Sequence, residues 1–157
     1  MSAVLQEPTL QLRPMKAADI NAVMVIEETV YEFPWTYGIF HDCLRVGYCC
    51  WVVTLDDDIA AYAILSTGAG ESHLLNICVS PASQNQGLGR QLIEHMLGVA
   101  RRHGAKTCLL EVRPSNHVAV ELYNKMDFVE VGVRPGYYPA QKGREDALIL
   151  ARELTFE

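Results

Sequence analysis

The sequence of 157 residues predicts a single α+β domain, in which a mixed sheet of about seven strands is flanked by four helices. Three observations support this prediction. Segments with the two-residue apolar period of strands and segments with the helical period follow one another in the order βααβββαβαββ. A glycine-rich turn joins an apolar strand to a long amphipathic helix. No repeat, linker or low-complexity stretch divides the chain, so the domain is expected to span residues 1–157, with its core over about 9–154.

The first half of the chain is predicted to contain four strands and two helices. Leu10 and Leu12 alternate with polar neighbours, which indicates a strand. Thr36 is placed to cap the second helix, because its side-chain oxygen can accept a hydrogen bond from a free backbone N–H group. The consecutive aspartates 56–58 indicate a hairpin turn. The predicted elements are a strand over 9–13, helices over 18–30 and 36–46, and strands over 49–55, 59–66 and 73–79.

The second half is predicted to contain two helices and three strands. An apolar stripe of Leu88, Leu92, Met96 and Val99 indicates a helix, which Gly104 is placed to end in the left-handed conformation. The remaining elements are a strand over 107–112, a helix over 116–125, and strands over 128–133 and 147–154.

The charge and the apolar pattern exclude several classes of protein. The formal net charge of −6 argues against general nucleic-acid binding, which usually needs a basic surface, and it suits a cationic acceptor. No apolar run approaches the roughly 20 residues of a membrane-spanning helix. Residues 1–8 lack the basic start and apolar core of a signal peptide. We therefore expect a cytoplasmic protein that does not bind membranes.

The cysteines and histidines favour neither disulfide bonds nor a metal site. The cysteines are odd in number in a chain without export signals, and they are expected to be buried thiols. Two of them are adjacent rather than separated by two residues, and no histidine pair has the spacing of a zinc-binding helix. No metal is therefore predicted. The five cysteines are Cys43, Cys49, Cys50, Cys78 and Cys108.

The turn between the strand over 73–79 and the helix that begins at Leu88 is the strongest indication of a ligand site. Gly87 and Gly89 carry no Cβ atom, so a ligand can approach the backbone closely. The first N–H groups of a helix lack intrahelical partners, and the helix dipole adds roughly half a positive charge at that end. The turn therefore predicts an anion site that suits a diphosphate.

The spacing excludes two common nucleotide-binding motifs. No Lys followed by Ser or Thr comes after Gly89, and Leu92 occupies the position of the third glycine in a dinucleotide fingerprint. The stretch Gln84-Asn85-Gln86-Gly87-Leu88-Gly89 resembles instead the Gln/Arg-x-x-Gly-x-Gly/Ala loop of the GCN5-related N-acetyltransferases, and the order of elements is also that of this family. The resemblance implies acetyl-coenzyme A as cosubstrate, with its pyrophosphate bound by residues from Gln84 to Arg90. It also implies that the strands ending at Val79 and Val112 are parallel and separate to admit the pantetheine arm.

Acetyl transfer from a thioester to an amine needs a base for the amine and a proton for the departing thiolate. Glu111 lies near the end of its strand, where its carboxylate can take a proton directly or through water, although it can equally be an outward-facing strand residue. Tyr123 can protonate the thiolate, but its helical face also suits a core aromatic. Asn116 suits a helix N-cap, a partner of the pantetheine amides, or both.

Longer stretches resemble the bacterial members of this family that acetylate the N-terminal alanine of a small-subunit ribosomal protein. The first is Leu-Glu-Val-Arg-Pro-Ser-Asn over residues 110–116. The resemblance extends over nearly the whole chain, and the further matching stretches are Phe33-Pro34-Trp35, Leu75-Asn76-Ile77-Cys78-Val79-Ser80-Pro81, Tyr137-Tyr138-Pro139 and Gly143-Arg144-Glu145-Asp146-Ala147.

This resemblance implies a role for each catalytic candidate. Glu111 would be the general base, and Tyr123 the general acid in contact with the cosubstrate. The segment Ile77-Cys78-Val79 would bind pantetheine through its backbone. The chain departs from the family at residues 126–128, where Met-Asp-Phe replaces the usual Leu-Gly-Phe. We expect Asp127 to take the left-handed backbone of that glycine, because Asp tolerates this conformation better than most residues.

Four aromatic residues, Phe33, Trp35, Tyr137 and Tyr138, are candidates for binding the acceptor peptide, with simple loop packing as the alternative. The expected partner is the N-terminus of a ribosomal protein. Two other hypotheses are acetylation of a different amine, such as a lysine side chain, a polyamine or an aminoglycoside, and a non-catalytic sensor of acyl-coenzyme A. The sequence does not determine the oligomeric state.

Overall fold

The computed structural model describes residues 8–154, so residues 1–7 and 155–157 of the predicted domain, including most of the segment without signal-peptide features, lie outside the described residues. Every predicted strand and helix is present. The elements are β1 (Leu10–Pro14), α1 (Ile20–Val30), α2 (Tyr37–Arg45), β2 (Cys49–Leu55), β3 (Asp58–Gly68), β4 (Glu71–Val79), α3 (Leu88–Arg102), β5 (Thr107–Val112), α4 (His117–Lys125), β6 (Val129–Pro139) and β7 (Arg144–Glu153).

The seven strands form one mixed sheet in the order β1-β2-β3-β4-β5-β7-β6. Of these pairs, β4 and β5 run parallel and the other five are antiparallel. Adjacent residues of β3 point to opposite faces, so Ala61 and Ala63 pack under α3 while Tyr62 and Ile64 pack against α1 and α2. The sheet therefore lies between two helical layers, and the predicted fold class is confirmed.

The predicted helix ends have the expected local contacts. The Thr36 hydroxyl accepts a hydrogen bond from the Ile39 N–H group, and the Asn116 side chain accepts one from the Ala119 N–H group. Gly104 follows α3 with a φ of +80°. These caps satisfy donors and acceptors that a helix leaves unpaired at its ends.

The last hairpin is longer than predicted. The expected strands cover residues 128–133 and 147–154, whereas β6 continues to Pro139 and β7 begins at Arg144. Pro135 and Gly136 interrupt the alternation on which the prediction depends, but an irregularity in the pairing of β6 with β7 absorbs them. The added length of β6 carries Tyr137 and Tyr138, two of the residues predicted to bind the acceptor.

Four of the five cysteines are buried as expected, and Cys49 is half-buried. Each of the five carries a free thiol. None of the helices in residues 8–154 is long and apolar enough to cross a lipid bilayer.

Asp127 has the left-handed backbone that was expected for it, with a φ of +68° after the end of α4. Its side chain is exposed, while the next residue, Phe128, is buried and donates its N–H group to the Tyr123 carbonyl. The turn at Asp127 therefore directs Phe128 into the core beneath the helix that carries Tyr123.

We predict that Asp127→Val lowers the free energy of unfolding by about 1–2 kcal/mol, because a β-branched side chain is strained in left-handed backbone. Urea denaturation followed by circular dichroism measures the change. The control is Asp127→Gly, which relieves this strain and should unfold at a urea midpoint well above that of the Val variant. Equal midpoints for the two variants would contradict the assigned backbone strain.

Candidate active site

A cleft forms where the two parallel strands separate. Hydrogen-bonded pairing joins Glu71–Leu74 of β4 to Thr107–Leu110 of β5 and ends there, whereas the two strands continue to Val79 and Val112. The cleft has a volume of about 840 Å³, and residues of β4, β5, α3, α4 and the α1–α2 loop line it. The expected separation of the two parallel strands is confirmed.

The predicted anion site begins α3 at one end of this cleft. Gly87 is the N-cap of the helix, with a φ of +79°, and a Cβ atom added there would meet no protein atom within 4 Å. The first helical hydrogen bond runs from the Gln91 N–H group to the Gly87 carbonyl, at 3.1 Å. The preceding N–H groups of the helix are therefore available to an anion in the open space beside Gly87.

Side-chain and backbone features hold the loop before α3 in place. The Gln84 amide donates a hydrogen bond to the Val79 carbonyl at 3.1 Å, which ties the loop to the end of β4. Asn85 has a φ of +64°, so the loop contains two residues with left-handed backbone, Asn85 and Gly87. Gln84 thus has a structural contact in addition to the predicted role in binding.

Glu111 lies on β5 with its side chain only 11% exposed. Its Oε1 atom is 3.1 Å from Arg134 Nε and 3.9 Å from His73 Nε2, so cationic and titratable groups from β6 and β4 both face it. Glu111 also lines the cleft. Glu111 is thus a partly buried carboxylate that faces the cleft and is held by an ion pair with Arg134.

Tyr123 lines the cleft from α4 and belongs to the hydrophobic core at the same time. Its ring packs edge-on against Phe128, with 5.7 Å between the ring centroids. Burial raises the pKa of Tyr123 above its ordinary value, so the phenol keeps its proton at neutral pH. Asn116 caps this helix and also lines the cleft, so neither of its two interpretations excludes the other.

The aromatic candidates divide into two groups. Phe33, Trp35 and Tyr138 line the cleft, whereas Tyr137 does not. Interaction with the Glu111 carboxylate, aided by burial, raises the pKa of Tyr137. Burial and then the Glu111 charge raise the pKa of Tyr138 to about 12. Both phenols are therefore protonated at neutral pH and can donate hydrogen bonds near this carboxylate.

Glu27 was not predicted from the sequence, although its buried carboxylate connects three elements at the cleft. Its Oε1 atom accepts hydrogen bonds from the Tyr62 hydroxyl at 2.7 Å and from the Asn76 amide at 3.0 Å. Its Oε2 atom accepts one from the backbone N–H group of Trp35 at 2.9 Å. The signal was present in the sequence, because Glu27 lies on the apolar face of α1 between Val23 and Val30.

Cys78 lines the cleft, and its thiol is protonated at neutral pH. Burial raises the pKa of its thiol to about 11, and only a thiolate reacts efficiently. Among residues 8–154, no group of three or more His, Cys, Asp or Glu side chains is arranged to hold a metal ion.

The cleft thus brings together most of the catalytic, cosubstrate-binding and acceptor-binding residues predicted from the sequence. Gln86 and Tyr137 are the two that do not line it. The candidates that line it are Phe33, Trp35, Ile77, Cys78, Val79, Gln84, Asn85, Gly87, Leu88, Gly89, Arg90, Glu111, Asn116, Tyr123 and Tyr138.

Comparison with known proteins identifies the family of this site. A model described as the acetyltransferase (GNAT) family matches residues 19–128. The chain belongs to this acetyltransferase family. It is 39% identical over 141 residues to the ribosomal protein bS18-alanine N-acetyltransferase of Escherichia coli (strain K12), which covers 90% of this chain and 95% of that protein.

Two further comparisons agree with the family assignment. The protein of the same name from Haemophilus ducreyi is 35% identical over 134 residues, covering 85% of this chain and 92% of that protein. A crystal structure of the ribosomal-protein-S18-alanine N-acetyltransferase from Escherichia coli matches with a TM-score of 0.88 and 36% identity, over 95% of this chain and 96% of the other.

Proposed function

We propose that this acetyltransferase transfers an acetyl group from acetyl-coenzyme A to the N-terminal amino group of ribosomal protein bS18, at an alanine. The observation that carries the proposal is one cleft that is lined both by the N-terminus of α3 at Gly87 and by the Glu111 carboxylate, which has two tyrosines among its neighbours. Relatives with this named activity align along nearly the whole chain. An acceptor on a ribosomal protein places the reaction in the cytoplasm, where ribosomes are assembled.

The residues at the start of α3 fit the diphosphate of coenzyme A. The open space in front of Gly87 admits a bulky anion, and the helix N-terminus favours its negative charge. The edge of β4 that faces β5 has no strand partner from Leu75 to Val79, so its backbone N–H groups, and the second lone pairs of the Ile77 and Val79 carbonyls that Tyr31 and Gln84 already contact, are available to the amides of pantetheine. Bound in this way, acetyl-coenzyme A supplies the activated acetyl group as a thioester.

Glu111 acts as the general base of the reaction in this proposal. An N-terminal amine is largely protonated at neutral pH and must lose a proton before it can attack a carbonyl carbon. The Glu111 carboxylate accepts that proton directly or through one water. Its neighbours Tyr137 and Tyr138 remain protonated, so they donate hydrogen bonds and do not compete for the proton.

Tyr123 acts as the general acid. Its phenol lies on α4 in the lining of the cleft, on the side of the sheet opposite α1, and burial keeps it protonated before the reaction. Negative charge on the departing sulfur is unfavourable in the same poorly solvated cleft, so the phenol donates its proton to the sulfur as the C–S bond breaks. The nitrogen loses a second proton to water as the amide forms, the phenolate recovers a proton from water, and Glu111 releases the proton that it took, so that one proton is released per turnover.

The first experiment measures thiol release from acetyl-coenzyme A with short peptides that begin with Ala, Ser, Gly or Met. An N-acetylated Ala peptide and free polyamines serve as controls. We expect turnover of the free Ala peptide, weaker turnover of the Ser peptide, and none of the acetylated peptide. Turnover of polyamines alone would exclude the N-terminal acceptor, and tight binding of acetyl-coenzyme A without any turnover would favour the sensor hypothesis.

We predict that Glu111→Gln lowers kcat/KM for the Ala peptide by about 10²- to 10⁴-fold, the usual effect of removing an acid or base. Tyr123→Phe, which preserves the packing against Phe128, should lower it over the same range. The dissociation constant of acetyl-coenzyme A, measured by calorimetry, should stay within about twofold for both variants. Glu130→Gln, at an exposed carboxylate of β6, is the matched control. Wild-type rates for Glu111→Gln would rule out its role as base.

We predict that Gly87→Val weakens acetyl-coenzyme A binding by at least about tenfold. A Val side chain is strained at a φ of +79° and would project into the space assigned to the diphosphate. Calorimetric titration measures the affinity, and the thermal midpoint separates a local effect from unfolding. Gly47→Val is the control, because Gly47 has a φ of +83° and open surroundings but does not line the cleft. Equal affinities for the two variants would place the diphosphate elsewhere.

A further inference from the structure

The segment Gly143-Arg144-Glu145-Asp146 has no role in the proposed chemistry, yet its charged side chains bind the backbone on the acceptor side of the cleft. We propose that this segment determines acceptor affinity, because Arg144 and Asp146 hold β6 in the conformation that presents Tyr137 and Tyr138. The inference rests on the proposed function, since it assigns these two tyrosines to acceptor binding. Arg144 and Asp146 are positioning residues in this account and do not contact the reacting atoms.

The pairing of β6 with β7 contains an unusual bulge. Arg134 pairs with Ala147 and Tyr138 pairs with Glu145, so residues 135–137 of β6 lie opposite Asp146 alone. A bulge of this kind breaks the regular hydrogen bonding between strands and changes the direction of nearby side chains. Without other partners in the protein, the backbone of residues 135–137 would be hydrogen-bonded to water alone and would not be fixed in one conformation.

Side chains of β7 provide hydrogen-bond partners for the backbone of this bulge. The Gly136 N–H group donates to Asp146 Oδ1 at 2.8 Å. Arg144 Nε donates to the Gly136 carbonyl at 2.6 Å, and Arg144 Nη2 donates to the Tyr137 carbonyl at 2.9 Å. Pro135 has no N–H group to satisfy. Charged partners make these hydrogen bonds stronger than those between neutral groups.

Arg113 and Ser115 join the β6–β7 hairpin to the end of β5, the strand that carries Glu111. Arg113 Nη1 donates to Glu145 Oε1 at 3.1 Å and to the Pro139 carbonyl at 2.9 Å. The Arg113 guanidinium also lies 4.4 Å from the centroid of the Tyr138 ring. Glu145 further accepts hydrogen bonds from the N–H group and the hydroxyl of Ser115. The end of β5 and the bulge of β6 are therefore held in one arrangement.

The contacts of Arg144 and Asp146 separate acceptor binding from cosubstrate binding. Their side chains form hydrogen bonds with the backbone of Gly136 and Tyr137, and they form none with the loop over residues 84–90. Arg144 and Asp146 are also exposed, so replacing either side chain leaves no cavity in the core. Glu145 is less suitable for a test, because its contact with Ser115 adjoins the start of α4.

The experiment compares Arg144→Met and Asp146→Ala with wild type, using the Ala peptide and acetyl-coenzyme A. We expect each variant to raise KM for the peptide by about tenfold, with kcat and the dissociation constant of acetyl-coenzyme A within about twofold of wild type. Amide hydrogen exchange over residues 134–138 should be faster in both. Lys142→Met is the matched control, because this exposed cation of the same turn makes no hydrogen bond or ion pair with the described residues.

An unchanged KM in both variants, or the same increase in Lys142→Met, would overturn the inference. Equal losses of peptide and cosubstrate affinity would also overturn it, because they indicate a general effect on the fold. Failure of the proposed function is recognised separately in wild type, as turnover of a different amine. The comparison of KM values is then made with that amine, and an unchanged value again overturns the inference.

Discussion

The early end of pairing between β4 and β5 is the constraint on which the site depends. Beyond this point β4 is still paired with β3, up to Val79 opposite Ala61, and β5 is still paired with β7, up to Val112 opposite Leu148. Each strand is thus fixed along its outer edge while its inner edge is open. An open edge inside a sheet exposes N–H and C=O groups that require partners. A ligand with amides along its length, such as pantetheine, supplies such partners.

Buried polar contacts fix α1 and the α1–α2 loop against β4 on one side of the cleft. The register of β3 and β4 shifts at Leu75, so that Asn76 directs its amide to the buried Glu27 carboxylate. Glu27 also accepts the Trp35 N–H group, and the Tyr31 hydroxyl donates to the Ile77 carbonyl at 2.8 Å. A buried charge is costly unless it is well hydrogen-bonded, and breaking such an arrangement is strongly destabilising. The α1–α2 loop is consequently fixed against β4.

The sequence was sufficient to predict the order of elements, because each has a clear period and a clear end signal. Thr36, Asn116 and Gly104 mark helix ends by local chemistry that does not depend on distant residues. The glycine turn at Gly87 was predictable for the same reason, since the N-terminus of a helix binds anions through its own backbone. Local rules therefore covered most of the fold and the geometry at the start of α3.

What the sequence did not predict depends on contacts between distant segments. The extension of β6 past Pro135 requires Arg144 and Asp146, which come after the turn of the hairpin. The Glu27 carboxylate finds its partners on β3, on β4 and in the following loop, and no periodicity indicates them. Both features concern how distant elements are joined, and pattern analysis treats each element separately.

The two ends of the cleft consequently differ in how they tolerate sequence change. The proposed anion site would use backbone N–H groups and the left-handed turn at Gly87, so we expect most side chains around it to vary without loss of binding. The proposed acceptor end depends on side chains that hold backbone, such as Arg144 on the carbonyls of Gly136 and Tyr137. We therefore expect a single substitution there to loosen residues 135–137 of β6. Acceptor choice can therefore diverge within this fold while the cosubstrate stays the same.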